Sequence, residues 1–489
     1  MKKKDSELKL EHVSYLWLFI GFILLILSNG IHTIIPIATW LAPVFLLRFL
    51  RTQGKMKGLL TFAPVFLIAW IMMVYGLYSG MPAFVSIITG VIYGMVFFLP
   101  FLADRLTAPK REGFLGTFIF PFAVVTIEYL LSLTPANSWF SLAYTQHDHL
   151  AFIQLASVTG IWGISFVMAW FASTVNWAWQ QNFSFPSIWK GVSMYCSIVI
   201  GIFLLGGAYV IFFPADSDTV RVAGITRSFD MDLEARKCRK DVPCLKQLFE
   251  RSLREFLEDS QIAARARAKI IMWQENGLAA YHDDEAHYIE KGREFAIQEE
   301  RYLLMGMYLL SENRTADENK AFLISPSGDV SEYLKNHLTP GDSHILGDGK
   351  VLIQDSEYGT LGTIICQDTH TLRFVRQAGK GDVDILLIPN HNWESITPYV
   401  AIMPHFRAIE NGFSIVRADY HGLSNAVDYH GNVLAHMNDF TTEERIMIVD
   451  IPTQGIQTLY AYIGDVFAWL CVLGLLIMIW LSFRASKNA

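Results

Sequence analysis

Residues 359–368 read GTLGTIICQD, an apolar run that ends in a cysteine and two polar residues. A short apolar run bounded by turn residues is typical of a buried β-strand. Similar strand-like runs recur on either side of it, at 220–225, 269–273, 302–309, 321–325, 351–354, 384–389, 413–418 and 446–451. Helical patterns lie between them, from Asp241 to 257, near 286–300 and near 397–411. Strands interleaved with helices indicate a layered α/β domain.

The rest of the chain is much more apolar than this domain. Of the 489 residues, 52% are hydrophobic and 17% are charged, against about 25% charged in an ordinary soluble domain. The apolar residues concentrate in 13–213 and 460–483, whereas 214–457 carries most of the charge. This layout predicts a membrane domain over 1–213, a water-facing domain over 214–457, and a last membrane helix with its tail over 458–489.

About eight stretches are long and apolar enough to be membrane spans, since a span needs about 20 apolar residues. They lie near 13–30, 31–50, 58–78, 81–103, 114–134, 151–179, 191–213 and 460–483. No small-residue cleavage site follows the first stretch, so we interpret it as a retained helix and not as a signal peptide.

Lysine and arginine residues predict the orientation of these spans. They precede the first stretch, follow the second and the fourth, and recur after the last, whereas the connections 79–80 and 135–150 contain none. Both termini are therefore expected in the cytoplasm and the 214–457 domain outside it. For a bacterial cell, this predicts a multi-pass protein of the inner membrane with an extracytoplasmic domain.

Charge and cysteine content exclude some classes of function. A net charge of −7 provides no basic field for a nucleic-acid backbone. The five cysteines include no paired Cys-x-x-Cys motif, so no metal site is expected. Cys238 and Cys244 either pair in an oxidising compartment or remain two unlinked cysteines on either side of Pro243.

Glu128 is an unusual residue within the apolar run 124–133. A carboxylate in a membrane span is energetically costly, which makes it a functional candidate. The alternative is a carboxylate near the outer interface that hydrogen-bonds to another helix and serves packing.

Glu275 and Cys366 stand at the ends of predicted strands, and Lys335 follows in the stretch 331–338; α/β folds commonly place chemistry at or just beyond strand ends. A thiol attacks carbonyl groups once it is deprotonated, a carboxylate can take its proton, and an ammonium can stabilise both the thiolate and an oxyanion. Each residue also has an ordinary explanation. A cysteine at a strand end is often a small buried hydrophobe, and Glu and Lys are most often solvated.

The order Glu, Lys, Cys with these flanking residues resembles the nitrilase, or carbon–nitrogen hydrolase, superfamily. Five downstream stretches are similar to later blocks of that fold, at 386–393, 405–411, 417–418, 422–424 and 428–431. The resemblance implies an αββα sandwich in which Glu275 is the base and Cys366 is the nucleophile, with Lys335 as the third member of the triad.

The membrane part narrows the resemblance to one branch. Seven spans before such a domain and one after it resemble the apolipoprotein N-acyltransferases, as do residues 154–163 and the pair Glu128-Tyr129. The resemblance implies a phospholipid acyl donor and a diacylglyceryl lipoprotein acceptor, with neither cofactor nor metal. It also implies a ping-pong reaction in which the Cys366 thiolate takes the acyl chain as a thioester. Lys335 and a backbone N–H near residue 367 would stabilise the oxyanion, and the acceptor amine would then take the acyl chain.

Several positions depart from the pattern of that family. Gln274 stands where a proline precedes the base, Asp342 follows a shortened Pro340-Gly341 turn, and Gln367-Asp368 follows the nucleophile. Asp368, Trp393, Asp342 and Glu128 are candidate substrate-binding or supporting residues. These departures keep open a membrane-anchored amidase, or an acyltransferase with another amine acceptor. A catalytically silent binding domain is a further alternative, against which the intact triad argues.

Overall fold

The computed structural model describes residues 2–78, 81–107, 113–215, 218–311, 316–339 and 342–487. The chain divides into two compact units. The helical unit comprises Met1–Pro214 with Ile463–Ala489, and the α/β unit comprises Ala215–Tyr462. The connection 79–80, the basic pair Lys110-Arg111 and the Pro340-Gly341 turn, all used in the sequence analysis, lie outside the described residues.

The helical unit has a helix in each of the eight apolar stretches. The longer helices are Lys2–Ser28, Pro36–Thr52, Lys55–Val74, Ala83–Thr107, Ile119–Ser132, Ile161–Gln180, Phe185–Phe212 and Val466–Lys487. Shorter helical segments are Phe114–Phe118, Leu142–Gln146, Leu150–Ile153 and Ala156–Thr159. The sequence therefore predicted the helical character of this unit correctly.

By length and composition, five helices in the described ranges could cross a membrane. They are Lys55–Val74, Ala83–Thr107, Phe114–Ser132, Phe185–Phe212 and Val466–Arg484, and a bent pair, Leu150–Thr159 with Ile161–Gln180, could form a sixth span. Val13–Ser28 and Pro36–Thr52 are shorter. The total of eight spans thus stays a prediction.

Two predicted spans are interrupted by glycines. The stretch 151–179 was expected to be one helix, but it bends by 119° at Gly160, whose φ is 65°. The stretch 460–483 is likewise broken at Gly464, φ 61°, between Leu459–Ile463 and Val466–Lys487. Only glycine adopts this left-handed backbone at no steric cost, and a hydropathy pattern does not register it.

In its described residues, the α/β unit contains thirteen strands in two sheets. In chain order they are β1 Thr219–Ile225, β2 Ile270–Trp273, β3 Leu278–Tyr281, β4 Tyr302–Leu310, β5 Glu318–Ile324, β6 Val330–Leu334, β7 Leu352–Ser356, β8 Gly359–Thr363, β9 Ile385–His391, β10 Ser414–Tyr420, β11 Leu423–Val427, β12 Val433–Asn438 and β13 Ile446–Pro452. The first sheet has the order β13-β1-β2-β4-β5-β6, with β3 also paired to β4, and the second has the order β12-β11-β10-β9-β8-β7.

Helices cover this pair of sheets. They are Met231–Lys237, Val242–Arg265, Glu285–Glu299, Leu372–Lys380, Thr397–Val400, Met403–Asn411 and Leu459–Ile463. The predicted helix start is confirmed, because the Asp241 side chain accepts a hydrogen bond from the backbone N–H of Cys244 at 3.2 Å. A carboxylate in this position satisfies an otherwise unpaired N–H group of the first turn.

The buried side chains show how the layers stack. Along β2, Ile270 and Met272 join a core that also contains residues of the second sheet, such as Leu386 of β9. Ile271 and Trp273 join a second core, with residues of the helices Val242–Arg265 and Glu285–Glu299. Because successive strand residues face opposite sides, the first sheet is covered by the second sheet on one face and by helices on the other. Phe374 and Ala408, from two further helices, also pack with the second sheet. This is the αββα sandwich that the resemblance implied.

Candidate active site

The strand directions place Glu275, Lys335 and Cys366 at the carboxyl ends of strands, two of them in the first sheet and one in the second. In the first sheet, β1, β2 and β4 are parallel, and β6 shares their direction because β5 is antiparallel to both β4 and β6. In the second sheet, β8, β9 and β10 are parallel. Glu275 follows β2, Lys335 follows β6 and Cys366 follows β8. Each of the three therefore lies beyond a carboxyl end, where open α/β sheets place ligands.

Glu275 and Lys335 form a buried ion pair. The Lys335 Nζ donates to Glu275 Oε1 at 2.8 Å, and the two residues are 2% and 3% exposed, respectively. Asn319 of β5 donates from Nδ2 to the same carboxylate oxygen at 2.8 Å. A charge buried this deeply is stable only with such partners, so the contacts fix the position and orientation of the carboxylate.

Close backbone packing positions Glu275. The Gln274 N–H donates to Ile225 O at 3.1 Å, and its Oε1 accepts from the Arg227 N–H at 2.7 Å. Proline at position 274 could make neither bond, so glutamine in place of the family's proline ties this turn to the end of β1. Gly306 of β4 makes the approach possible, since a Cβ there would lie 2.0 Å from Gln274 O.

Cys366 lies on a strained turn directly after the second-sheet strand β8. Its φ is 43°, in the left-handed region that a residue with a side chain rarely occupies. The residue is 6% exposed, and its Sγ donates to the carbonyl oxygen of His391 at 3.7 Å. Strained backbone of this kind is concentrated at functional sites, and here it turns a buried sulfur toward the end of β9.

Asp368 holds the nucleophile turn against the strand that precedes Lys335. It is fully buried, and its Oδ2 accepts from Tyr333 Oη at 2.5 Å and from the Ile365 N–H at 3.0 Å. Its Oδ1 accepts from the Asn336 N–H at 3.2 Å and lies 2.7 Å from His337 Nδ1. Both oxygens are therefore engaged in internal hydrogen bonds, which is the geometry of a positioning residue.

Electrostatics leave the site with a neutral thiol and a charged ammonium. Burial, reinforced by the charges of Glu275 and Asp419, raises the pKa of the Cys366 thiol well above its ordinary value, although Lys335 acts in the opposite direction. Burial alone would lower the pKa of Lys335, but Glu275, and after it Cys366 and Asp342, outweigh that effect, so that pKa is raised. A protonated thiol therefore lies beside an ammonium that stays charged.

The other candidates from the sequence lie in different surroundings. Asp342 accepts from Lys335 Nζ at 3.3 Å and from the Thr339 N–H at 3.0 Å, with a third of its side chain exposed. Trp393 is half-buried, two residues after the end of β9. Glu128 belongs to the helical unit, where it accepts hydrogen bonds from Ser141 Oγ, Ser165 Oγ and the Leu142 N–H at 2.8, 2.7 and 3.0 Å.

The sequence analysis missed a second buried carboxylate near the thiol. Asp419, at the end of β10, accepts from Arg417 at 2.8 Å and from Asn392 Nδ2 at 2.8 and 3.0 Å. Burial raises the pKa of Asp419 to about 6, against the opposing effects of Arg417 and Asn392. Asn319 was missed as well: it stands between Glu318 and Lys320 at the polar start of β5, where the sequence pattern gives no signal for it.

A cavity of about 930 Å³ opens beside the triad. Its wall includes Asn276, which follows Glu275, Asp342, which contacts Lys335, and His391, whose carbonyl accepts from Cys366 Sγ. Residues of the segment 230–249 also line the cavity, and within that segment Cys238 and Cys244 are joined by a disulfide. The pairing that the sequence left open is thus present.

Comparisons with known proteins identify two family matches and several relatives of this chain. The carbon–nitrogen hydrolase family matches residues 244–461, and the apolipoprotein N-acyltransferase N-terminal domain matches residues 24–174. An apolipoprotein N-acyltransferase of Geobacter metallireducens is 26% identical over 97% of this chain and 96% of its own. Apolipoprotein N-acyltransferase 1 of Treponema denticola is 24% identical over 79% of this chain and 80% of its own.

A solved structure is also similar to part of the chain. An amidase from Nesterenkonia sp. is 18% identical, covering 49% of this chain and 92% of the amidase, with a TM-score of 0.37. The two family matches and the curated relatives confirm that the chain resembles the apolipoprotein N-acyltransferases, the membrane branch of the nitrilase superfamily.

Proposed function

We propose that this protein is an N-acyltransferase that moves a fatty acyl chain from a phospholipid to the α-amino group of the lipidated N-terminal cysteine of bacterial lipoproteins. The observation that carries the proposal is the buried Glu275–Lys335 pair, which acts electrostatically on the Cys366 thiol at the edge of a large cavity. The relatives that share both domains are apolipoprotein N-acyltransferases by name.

In the first half-reaction, Glu275 accepts the thiol proton as the Cys366 sulfur attacks the ester carbonyl of the phospholipid. Burial keeps the thiol protonated until that moment, so a general base is required. The Lys335 ammonium and a backbone N–H near residue 367 stabilise the tetrahedral oxyanion. The ester C–O bond then breaks, the proton passes to the departing alkoxide, and a thioester and a lysophospholipid result.

In the second half-reaction, the free amine of a diacylglyceryl-cysteine attacks the thioester. Glu275 takes a proton from the amine, the C–S bond breaks, and the sulfur leaves as a thiol while an amide forms. The aliphatic residues of the cavity, among them Met231, Leu245 and Leu310, exclude water from the thioester. The amine is thereby favoured over hydrolysis.

The placement of the protein follows from its charge pattern. We propose eight spans, cytoplasmic termini, and boundaries at 1–213, 214–457 and 458–489, with the α/β domain on the extracytoplasmic side of the bacterial inner membrane. The Cys238–Cys244 disulfide supports that side, because disulfides persist in oxidising compartments. Both substrates are lipids or lipid-anchored, so a catalytic domain next to the bilayer meets them where they reside.

We propose different roles for the four supporting residues, according to the groups that each one contacts. Asp368 positions the turn that carries Cys366, and Glu128 connects segments of the helical unit. Asp342 holds Lys335 from the cavity side. Trp393 is proposed to face substrate near the end of β9.

The test is mass spectrometry of the purified full-length protein after exposure to phospholipid vesicles. An added acyl mass on the peptide that contains Cys366 is expected, and Cys366→Ser should abolish it. Cys196→Ser is the matched control, because Cys196 is an exposed free cysteine in the other unit and its loss should leave the acyl mass in place. An acyl mass that survives Cys366→Ser would refute the mechanism.

A diacylated lipopeptide then separates the acceptor classes. We expect the acylated protein to return it triacylated and to recover the free thiol. Acylation of Cys366 without transfer to the lipopeptide would instead favour an amidase or an acyltransferase with another amine acceptor. Absence of any acylated Cys366 would favour a binding domain.

A further inference from the structure

The part of the cavity wall formed by residues 236–240 is basic. Arg236, Arg239 and Lys240 line it, all three side chains are exposed, and none has an ion-pair partner within the described part of the chain. We call these three residues the basic turn. Arg227 also lines the cavity, but its guanidinium is stacked 5.1 Å from the Tyr420 ring centre.

The acidic residues of the cavity are already engaged. Asp230 caps the helix Met231–Lys237 by accepting from the Leu233 N–H at 3.0 Å, and Asp342 accepts from Lys335. The positive charge of the basic turn is therefore left uncompensated by the cavity's own acidic groups.

The backbone of the basic turn is held in place. Arg239 and Lys240 have φ values of 48° and 67°, an arrangement that two successive residues with side chains rarely adopt. The Cys238–Cys244 disulfide brackets them, and the Asp241 side chain caps the helix that follows. The cations are therefore presented on a restrained support, which lowers the entropic cost of gathering them around an anion.

Apolar and basic surfaces meet in this cavity. Met231, Ala235, Leu245 and Phe249 line it beside the basic turn. A free anion would gain nothing from the apolar surface, and an acidic peptide would leave most of it uncovered. A glycerophospholipid carries a phosphodiester within a few bonds of its acyl ester, so it matches both surfaces at once.

We propose that the basic turn binds the phosphodiester headgroup of the acyl donor and makes the enzyme prefer glycerophospholipids with a net negative charge over zwitterionic ones. The inference rests on the proposed function, since it names the donor of the same reaction. An ethanolamine headgroup would bring its ammonium toward three cations, whereas a glycerol headgroup adds no positive charge. Like charges brought together in this way are a common basis of selectivity.

The experiment compares acylation of Cys366 in vesicles of phosphatidylglycerol and of phosphatidylethanolamine with identical acyl chains. The single-turnover rate is followed by intact mass at low ionic strength. We expect the wild-type protein to be acylated roughly tenfold faster from phosphatidylglycerol, the size of effect that a few surface cations produce near a lipid charge. The triple variant R236Q/R239Q/K240Q should bring the ratio of the two rates close to one.

Lys237→Gln provides the matched control. Lys237 lies in the same segment and its replacement removes one positive charge there, against three in the triple variant, but it pairs with Glu234 and is not among the residues that line the cavity. It should therefore keep the wild-type ratio. A far-ultraviolet spectrum and the thermal midpoint of each variant establish that the domain is folded.

The outcomes separate this inference from the function on which it rests. Acylation of Cys366 at equal rates from both lipids, or a triple variant that keeps the preference, overturns the headgroup assignment and leaves the acyltransferase intact. A triple variant slowed only in transfer to a lipopeptide assigns the cations to the acceptor and equally overturns it.

If millimolar inorganic phosphate abolishes the preference while chloride at equal ionic strength does not, the turn is a general anion site and the proposal is wrong. Lack of acylation from either lipid overturns both proposals.

Discussion

Glu128 in the helical unit and Glu275 in the α/β unit are buried to the same degree, each 3% exposed, but their partners differ in charge. Glu275 accepts hydrogen bonds from an ammonium and an amide, and its charge raises the pKa of a nearby thiol, that of Cys366. Glu128 faces two hydroxyl groups and one backbone N–H, all of them neutral donors.

The difference shows that burial alone does not identify a reactive carboxylate. The donors around Glu128 are the consecutive residues Ser141 and Leu142 and, from the helix Ile161–Gln180, Ser165, so the carboxylate connects segments of the helical unit. The surroundings of Glu275 contain a cation and a thiol, the two groups on which the proposed reaction depends. The comparison yields four predictions, ordered by the size of the expected effect.

Glu275→Gln and Glu128→Gln are the sharpest pair, because each replaces a buried carboxylate by its neutral isostere. Glu275→Gln should slow thioester formation on Cys366 by about 10²–10⁴-fold, the usual contribution of a general base. Glu128→Gln should change the same single-turnover rate by less than about threefold, since it removes no proton acceptor from the reaction. Comparable losses in both variants would show that the two carboxylates share one role.

Lys335→Met removes the cation while keeping a side chain of similar length. It should slow both half-reactions by about 10²-fold through loss of oxyanion stabilisation. It should also lower the free energy of unfolding by about 3–5 kcal/mol, because Glu275 would remain as an unpaired buried charge. Thioester formation and transfer to a lipopeptide are measured separately, and the double variant Lys335→Met/Glu275→Gln should recover part of the stability. A rate loss confined to one half-reaction would contradict the role of Lys335 in stabilising the oxyanion of both half-reactions.

The resting thiol can be titrated by alkylation. Because burial and the nearby carboxylates raise the pKa of Cys366, its reaction with iodoacetamide should accelerate only above the pH range of an ordinary thiol, near 8.5. Lys335→Met should move this midpoint higher still, since the ammonium favours the thiolate. Mass spectrometry of the peptide containing Cys366 gives the rate at each pH, with an added free peptide that contains one cysteine as the reference. A midpoint below that of the reference peptide would contradict the assignment of a neutral thiol.

Glu128→Leu tests the packing role directly. It would leave the Ser141 and Ser165 hydroxyls and the Leu142 N–H without their acceptor, at a cost of about 2–3 kcal/mol in unfolding free energy. Glu128→Gln keeps one acceptor oxygen and should cost about half as much. Thermal unfolding of the detergent-solubilised protein measures both, and Cys366 acylation below the transition should remain near the wild-type rate. Equal stability of the two variants and the wild type would leave the buried carboxylate without a structural role.

Local patterns predicted much of this architecture. Asp241 predicted a helix start, because a capping carboxylate acts within three residues, and the run before Cys366 predicted β8, although β8 itself contains two threonines. The triad was predicted from residue types at strand ends together with the family resemblance. Its catalytic role stays a prediction, and the Glu275–Lys335 contact brings two of its three members together.

The features that the sequence did not predict depend on tertiary contacts. The edge strand β12 is largely exposed and lacks the apolar alternation that marks a strand, and β3 has only four residues. The bend at Gly160 depends on a backbone angle that hydropathy does not encode. Asp368 looked like a substrate-facing group from its place after the nucleophile, but its bonds to Tyr333 and Asn336 bridge chain segments more than thirty residues apart.

Asp368 also bears on how this site can diverge. It connects the last residues of β6, in the first sheet, to the turn after β8, in the second. The distance between the Lys335 ammonium and the Cys366 sulfur is thereby fixed by Asp368, a fully buried side chain that we expect not to contact the acyl chain. Asp342 lies on the cavity side, with a third of its side chain exposed, and is not part of this connection. That position can therefore change with the donor or the acceptor while the spacing that Asp368 sets is kept.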